Sequence, residues 1–138
     1  GIAIGKNMGE NSRAALVTRG FTEIARLAIA KGGKYETLMG LSGLGDLLLT
    51  CGSPKSRNMS FGIAIGQGRS KEDILQSRGR TATEGVVAAE SVSKLAKKHD
   101  ISMPICDAIY RILYENAPVD QVVEDLLERP FISEGILA

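Results

Sequence analysis

The chain has 138 residues, of which 43% are hydrophobic and 24% charged, and its formal net charge is +1. That length supports one domain with a core of ordinary size, and the composition is that of a globular protein. Acids and bases alternate along the chain, which excludes the dense basic stripe of a nucleic-acid binder.

Aromatic residues make up only 4%, so the core has to be built from Leu, Ile, Val, Ala and Met. Cys51 and Cys106 stand far apart with no Cys or His cluster near them. No metal site is expected, and reduced cytosolic thiols are expected over a disulfide. The apolar run at 47–49 is too short to span a membrane, and no secretion signal opens the chain. A cytoplasmic location follows as the expectation. The chain opens on Gly1-Ile2-Ala3-Ile4-Gly5, without Met and without a cap or turn, which reads as the interior of a longer polypeptide.

The first predicted helix covers 12–31, capped by Asn11 or Ser12. Val17, Phe21, Ile24 and Ala28 form its apolar stripe, and Arg19, Glu23 and Arg26 fall on the opposite face. Gly32-Gly33 ends it with a left-handed turn. Gly20 in its middle costs about 1 kcal/mol against Ala, for which a close helix crossing is one explanation and tolerance the other. A short helix is predicted at 35–39. The segment Gly40-Leu41-Ser42-Gly43-Leu44-Gly45-Asp46 then leads into Leu47-Leu48-Leu49-Thr50, read as a buried helix because no second strand is available to pair with it.

Ser56 caps the next helix, 57–65, which ends at Gly66-Gln67-Gly68. Ser70-Lys71-Glu72-Asp73 resembles a capping box and opens a short helix to 76. A long amphipathic helix follows at 84–99, with a stripe of Val87, Ser91, Leu95 and Lys98 and with lysines at its negative pole. Pro104 and Pro118 each start a further helix, and Pro130 ends the last. With no alternating pattern, repeat or low-complexity tract, the predicted architecture is a compact all-α domain.

Three polar clusters could carry chemistry. Asp46 with Thr50, one helical turn later, is the first; a first-turn acid favoured by the helix dipole is the plain reading of Asp46. Ser56-Arg57-Asn58 is the second. It sits where helix N–H groups attract anions, and the Arg57 fork can grip a phosphate with two hydrogen bonds. Thr83-Glu84-Gly85 is the third, where Glu84 suits either a ribose hydroxyl or the helix dipole. Gly43-Leu44-Gly45 and Gly66-Gln67-Gly68 lack the third glycine of a dinucleotide loop and read as turns. His99 reads as a solvated helix-end residue. No Ser/His/Asp or Cys/His set argues for hydrolysis.

Taken in order, Asn11-Ser12-Arg13-Ala14-Ala15-Leu16, Thr18-Arg19-Gly20, the run from Met39 through Leu47, Leu49-Thr50-Cys51, Ser56-Arg57-Asn58, Phe61-Gly62, Gly66-Gln67-Gly68, Glu84-Gly85, Met103-Pro104-Ile105 and Ile109-Tyr110-Arg111-Ile112-Leu113-Tyr114 resemble the C-terminal half of bacterial NAD(P)-dependent glycerol-3-phosphate dehydrogenases. The resemblance implies that 1–138 forms a helical substrate-binding C-terminal domain, like those of glycerol-3-phosphate and 6-phosphogluconate dehydrogenases. An N-terminal Rossmann domain absent from this chain would carry most of the NAD or NADP contacts. It implies catalytic roles for Asp46 and Thr50 and substrate contacts from Asp46, Ser56, Arg57 and Asn58. Cofactor contacts fall to Arg57, Ala82 and Glu84.

The implied reaction interconverts sn-glycerol 3-phosphate and glycerone phosphate for phospholipid precursors. The implied partners are a phosphorylated small molecule and a second copy in a homodimer. The family's general acid/base lysine lies just before Gly1, so the chain alone is expected to be inactive. Ile4 stands where the family has Asp, and the stretch 77–83 is about one residue longer than usual. The alternative is a non-catalytic helical dimerisation module, in which the polar clusters are only caps.

Overall fold

The structure is a computed structural model that describes residues 1–78 and 83–128. Every regular element among the described residues is helical, as expected. In chain order they are α1 (Ile2–Gly5), α2 (Gly9–Ala30), α3 (Tyr35–Leu38), a π-helical turn (Leu41–Gly45), α4 (Asp46–Gly52), α5 (Arg57–Gly66), α6 (Lys71–Arg78), α7 (Thr83–Lys98), α8 (Pro104–Tyr114) and α9 (Val119–Leu127).

The core gathers around α5. Phe61, Ala64 and Ile65 of α5 meet Ile74, Val86 and Leu113, with Ile2, Ile109, Ile112 and Val119 packed around them. Polar ties cross the same region. Tyr114 Oη donates to Val86 O at 2.9 Å, Lys71 Nζ to Leu113 O at 2.6 Å, and Arg78 Nη1 to Ser60 Oγ at 2.7 Å. One of the three, Lys71 to Leu113 O, ends on a carbonyl in the last turn of α8, where no later helical N–H is available to it.

α1 does not appear in the sequence reading, because four residues are too few to show a period. Its partner makes it. Gly1 and Gly5 face Gly62 and Gly66 of α5 in matching register, so the helices run parallel. An added Cβ at Gly62 would stand 3.0 Å from Gly1 Cα, and one at Gly66 3.0 Å from Gly5 Cα. Backbone lies on backbone there, a contact that any side chain would break.

Helix starts and stops largely follow the local signals. Ser56 Oγ accepts from Met59 N at 3.3 Å, Ser70 Oγ accepts from Asp73 N at 3.1 Å, and Gly32 takes φ +83° after α2. α2, however, begins at Gly9, earlier than the predicted caps Asn11 and Ser12, and Met8 is its N-cap. Ser12 Oγ instead donates to Met8 O at 2.9 Å.

Three packing expectations need correction, and the choice left open at Gly20 is decided. Glu23, placed on the solvent face, is 2% exposed, while Ile24 of the predicted stripe is 39% exposed. The cause is polar: Glu23 accepts from Ile105 N at 2.7 Å and Cys106 N at 3.1 Å, capping α8 from another helix. Gly20 has nothing within 4 Å of an added Cβ, so no close crossing explains it and it is simply tolerated. On α7 the buried residues are Val86, Ser93 and Ala96, whereas Val87 is 57% exposed, so the true stripe is turned from the predicted one. α7 packs on α8, and that contact decides which face is covered. Finally, α4 is helical but not buried, since Leu48 and Leu49 stay open at 54% and 72%.

Cys51 and Cys106 are both free thiols. Burial, then the Glu23 carboxylate beside it, pushes the Cys106 thiol up to about 12. Alkylation needs the thiolate. Cys106 of the folded chain therefore resists iodoacetamide near pH 8 and reacts once urea unfolds it. Peptide mass mapping checks this, and fast labelling of Cys106 without denaturant would refute it.

Candidate active site

α5 begins at Arg57 because Ser56, in extended backbone, caps it. The positive end of a ten-residue helix therefore stands at 56–58, and it forms one wall of an open cavity of about 420 Å³. Leu49, Thr50 and Ser53 of the α4 end, Lys55 of the connecting loop and Glu84 of the α7 start supply the rest of the lining.

Ser56, Arg57, Asn58, Thr50 and Glu84, picked out from sequence, thus meet around one space. Arg57 Nη2 donates to Glu84 Oε2 at 3.4 Å, with side chains 62% and 80% exposed. So long and wet a pair contributes little to stability. The guanidinium lines the cavity, where a doubly charged anion in better geometry competes for it.

Asp46 does not line this cavity. It is exposed at the head of α4, and its spacing of four puts it on the same helix face as Thr50, one turn away. The expectation that Asp46 stands at the edge of buried apolar surface is therefore wrong, for the leucines that follow it are themselves largely open. Ala82 lies outside the described residues. Lys55, Ser53 and Leu49 were missed as lining residues. For Ser53 and Lys55 only their position in the loop before a capped, anion-attracting helix could have signalled them, and nothing local marks Leu49 of α4.

Lys55 and Arg57 bring two cations to the cavity against the one carboxylate of Glu84. The space suits a small anion with an uncharged polar end. Among the described residues no group of His, Cys, Asp and Glu could hold a metal ion.

The family model described as NAD-dependent glycerol-3-phosphate dehydrogenase C-terminus matches residues 1–124. The chain belongs to that family. Among curated glycerol-3-phosphate dehydrogenases (NAD(P)+), that of Parvibaculum lavamentivorans is 55% identical over 134 residues and that of Maricaulis maris 54%. Each alignment covers 97% of this chain and 40% of the relative, so the chain spans about two fifths of the length of these proteins. The solved structure of glycerol-3-phosphate dehydrogenase (gpsA) from Coxiella burnetii superimposes with a TM-score of 0.88 at 48% identity, covering 93% of this chain and 39% of that one. The all-α fold of this dehydrogenase C-terminal domain is thereby matched to a solved relative. No helix among the described residues is long and apolar enough to cross a membrane.

Proposed function

We propose that this chain is the substrate-holding domain of an NAD(P)-dependent enzyme that interconverts sn-glycerol 3-phosphate and glycerone phosphate, and that a cofactor-binding domain outside this chain completes it. The convergence of Thr50, Ser56, Arg57, Asn58 and Glu84 on one cavity carries the reading.

In it, the Arg57 fork grips the phosphate of the substrate. The leading edge of α5 and the Asn58 amide add donors, and Lys55 adds charge. Fixing the phosphate aims the three-carbon end toward Thr50, and orientation of this kind lowers a bimolecular barrier substantially. The Thr50 hydroxyl and, one turn away, the Asp46 carboxylate are the groups of this chain placed to steady the reacting hydroxyl and its proton. Glu84 keeps Arg57 extended across the mouth until an anion arrives.

The residues present fit the edge of a dinucleotide and not its body: the Arg57–Glu84 pair offers one cation and one anion at the rim. Neither glycine pair forms a phosphate loop after a strand. When bound, the nicotinamide supplies or takes the hydride, and this chain supplies orientation and charge. Lys55 is the one lysine among the described lining residues and belongs with the phosphate, so the described residues place no lysine as general acid/base. A cytoplasmic location belongs to the same proposal and is supported by the two free thiols.

The full-length enzyme oxidises sn-glycerol 3-phosphate with NAD+ or NADP+, while the chain alone shows no turnover and binds inorganic phosphate with amide NMR shifts centred on 56–58. Turnover by the chain alone, or shifts centred on another surface, would overturn the reading. Homodimerisation is part of the proposal, supported by the 91% exposure of Leu41, and sedimentation equilibrium of the full-length preparation checks it.

A further inference from the structure

We infer that Gly85 is a positioning residue of this site: its missing side chain lets the first turn of α7 seat the carboxamide of Asn58. An added Cβ at Gly85 would stand 2.5 Å from Asn58 Oδ1, 3.3 Å from its Cγ and 3.8 Å from its Nδ2. All three of the nearest atoms belong to the one side chain.

The order of those distances gives the orientation. The acceptor end of the amide rests against Gly85 and the donor end lies farther off. A carboxamide has only these two ends, so the –NH2 is what Asn58 has left to offer an anion in the cavity it lines. That polarity suits a phosphate or a substrate oxygen.

Gly85 lies inside a sixteen-residue helix. Alanine is the better helix former there, so the backbone gives no reason for glycine. What glycine preserves is room. The obstacle to a methyl group is the far end of a rotatable side chain and not backbone, so the folded chain accommodates the methyl by turning Asn58 away. The cost then falls on the placement of the amide and not on the fold.

This inference rests on reading Asn58 as a substrate ligand, and the experiment separates the two. Gly85→Ala, Asn58→Ala and the double variant are made in the full-length enzyme. Kinetic constants for sn-glycerol 3-phosphate and Tm are measured for each. Gly85→Ala keeps or raises Tm and raises KM for the substrate about tenfold, the loss of one hydrogen bond to a charged group. In the Asn58→Ala background the same change adds no further loss.

An unchanged KM in Gly85→Ala overturns the inference, as does an equal loss on top of Asn58→Ala or a lowered Tm with normal KM. If Asn58→Ala itself leaves KM unchanged, the ligand role of Asn58 falls and the inference with it. If Asn58→Ala is impaired and Gly85→Ala is not, only the inference falls.

Discussion

Arg57→Ala in the full-length enzyme lowers kcat/KM for sn-glycerol 3-phosphate by about 30- to 150-fold, roughly 2–3 kcal/mol of transition-state binding, as for a charge-assisted hydrogen bond lost without replacement. The size follows from where the guanidinium stands. It lines the cavity at the leading edge of α5, and its ion pair with Glu84 is long, 3.4 Å, with both side chains largely exposed. That pair is weak, so a doubly charged anion in better geometry displaces it at small cost. Arg57→Lys restores charge without the planar fork and recovers only part of the loss. Because the ion pair is exposed, neither change moves Tm appreciably. An Arg57→Ala enzyme with undiminished kcat/KM takes Arg57 out of the site.

Glu23→Ala destabilises the fold by about 2–4 kcal/mol, since it strips the acceptor from two N–H groups at the start of α8 and opens a buried gap. For a domain of this size that is a fall in Tm of roughly 10 °C. Thermal melts by circular dichroism read it, and a shift under about 2 °C would rule out the cap as a stabilising element. The pH dependence has a definite sign. Desolvation raises the Glu23 carboxyl above its ordinary value of 4.5, against the lowering by the Ile105 and Cys106 N–H groups and by Arg26. A group raised in the folded state favours folding most while it is protonated. That contribution is fully present below about pH 4.5 and is lost as pH rises through the folded value. Set against Glu23→Gln, which does not titrate, the native chain loses ground as pH rises from about 4 to 8. A constant difference across that range would show that Glu23 carries no shifted charge.

The parts of the molecule legible from sequence are those governed by nearby residues. Ser56 and Ser70 cap because a hydroxyl three residues before an N–H can reach it, and Gly32 ends α2 because the left-handed turn costs glycine nothing. The 56–58 wall of the candidate site was legible for the same reason: a capped helix start with Arg and Asn on its first turn attracts anions wherever it occurs.

What sequence left hidden depends on residues far apart in the chain. Glu23 reads as a surface acid until α8 arrives, 82 positions later, with two N–H groups to satisfy. The leucines of α4 read as core, yet among the described residues no element covers Leu48 or Leu49. Asp46 looked central because it sits among glycines and leucines, but the turn before α4 leaves it outside the cavity lining. Glu84 and Arg57, 27 positions apart, could be named separately, but only the fold shows them meeting.

The paired glycines of α1 and α5 act as the teeth of a ratchet. Sliding α5 along α1 by a single position would drive Ile63 or Phe61 into backbone, so the next permitted seat is a whole helical turn away. The axial height of Arg57 above the core is therefore digital: it is set by four residues that contribute no side-chain chemistry, and it resists the gradual drift that ordinary side-chain repacking allows.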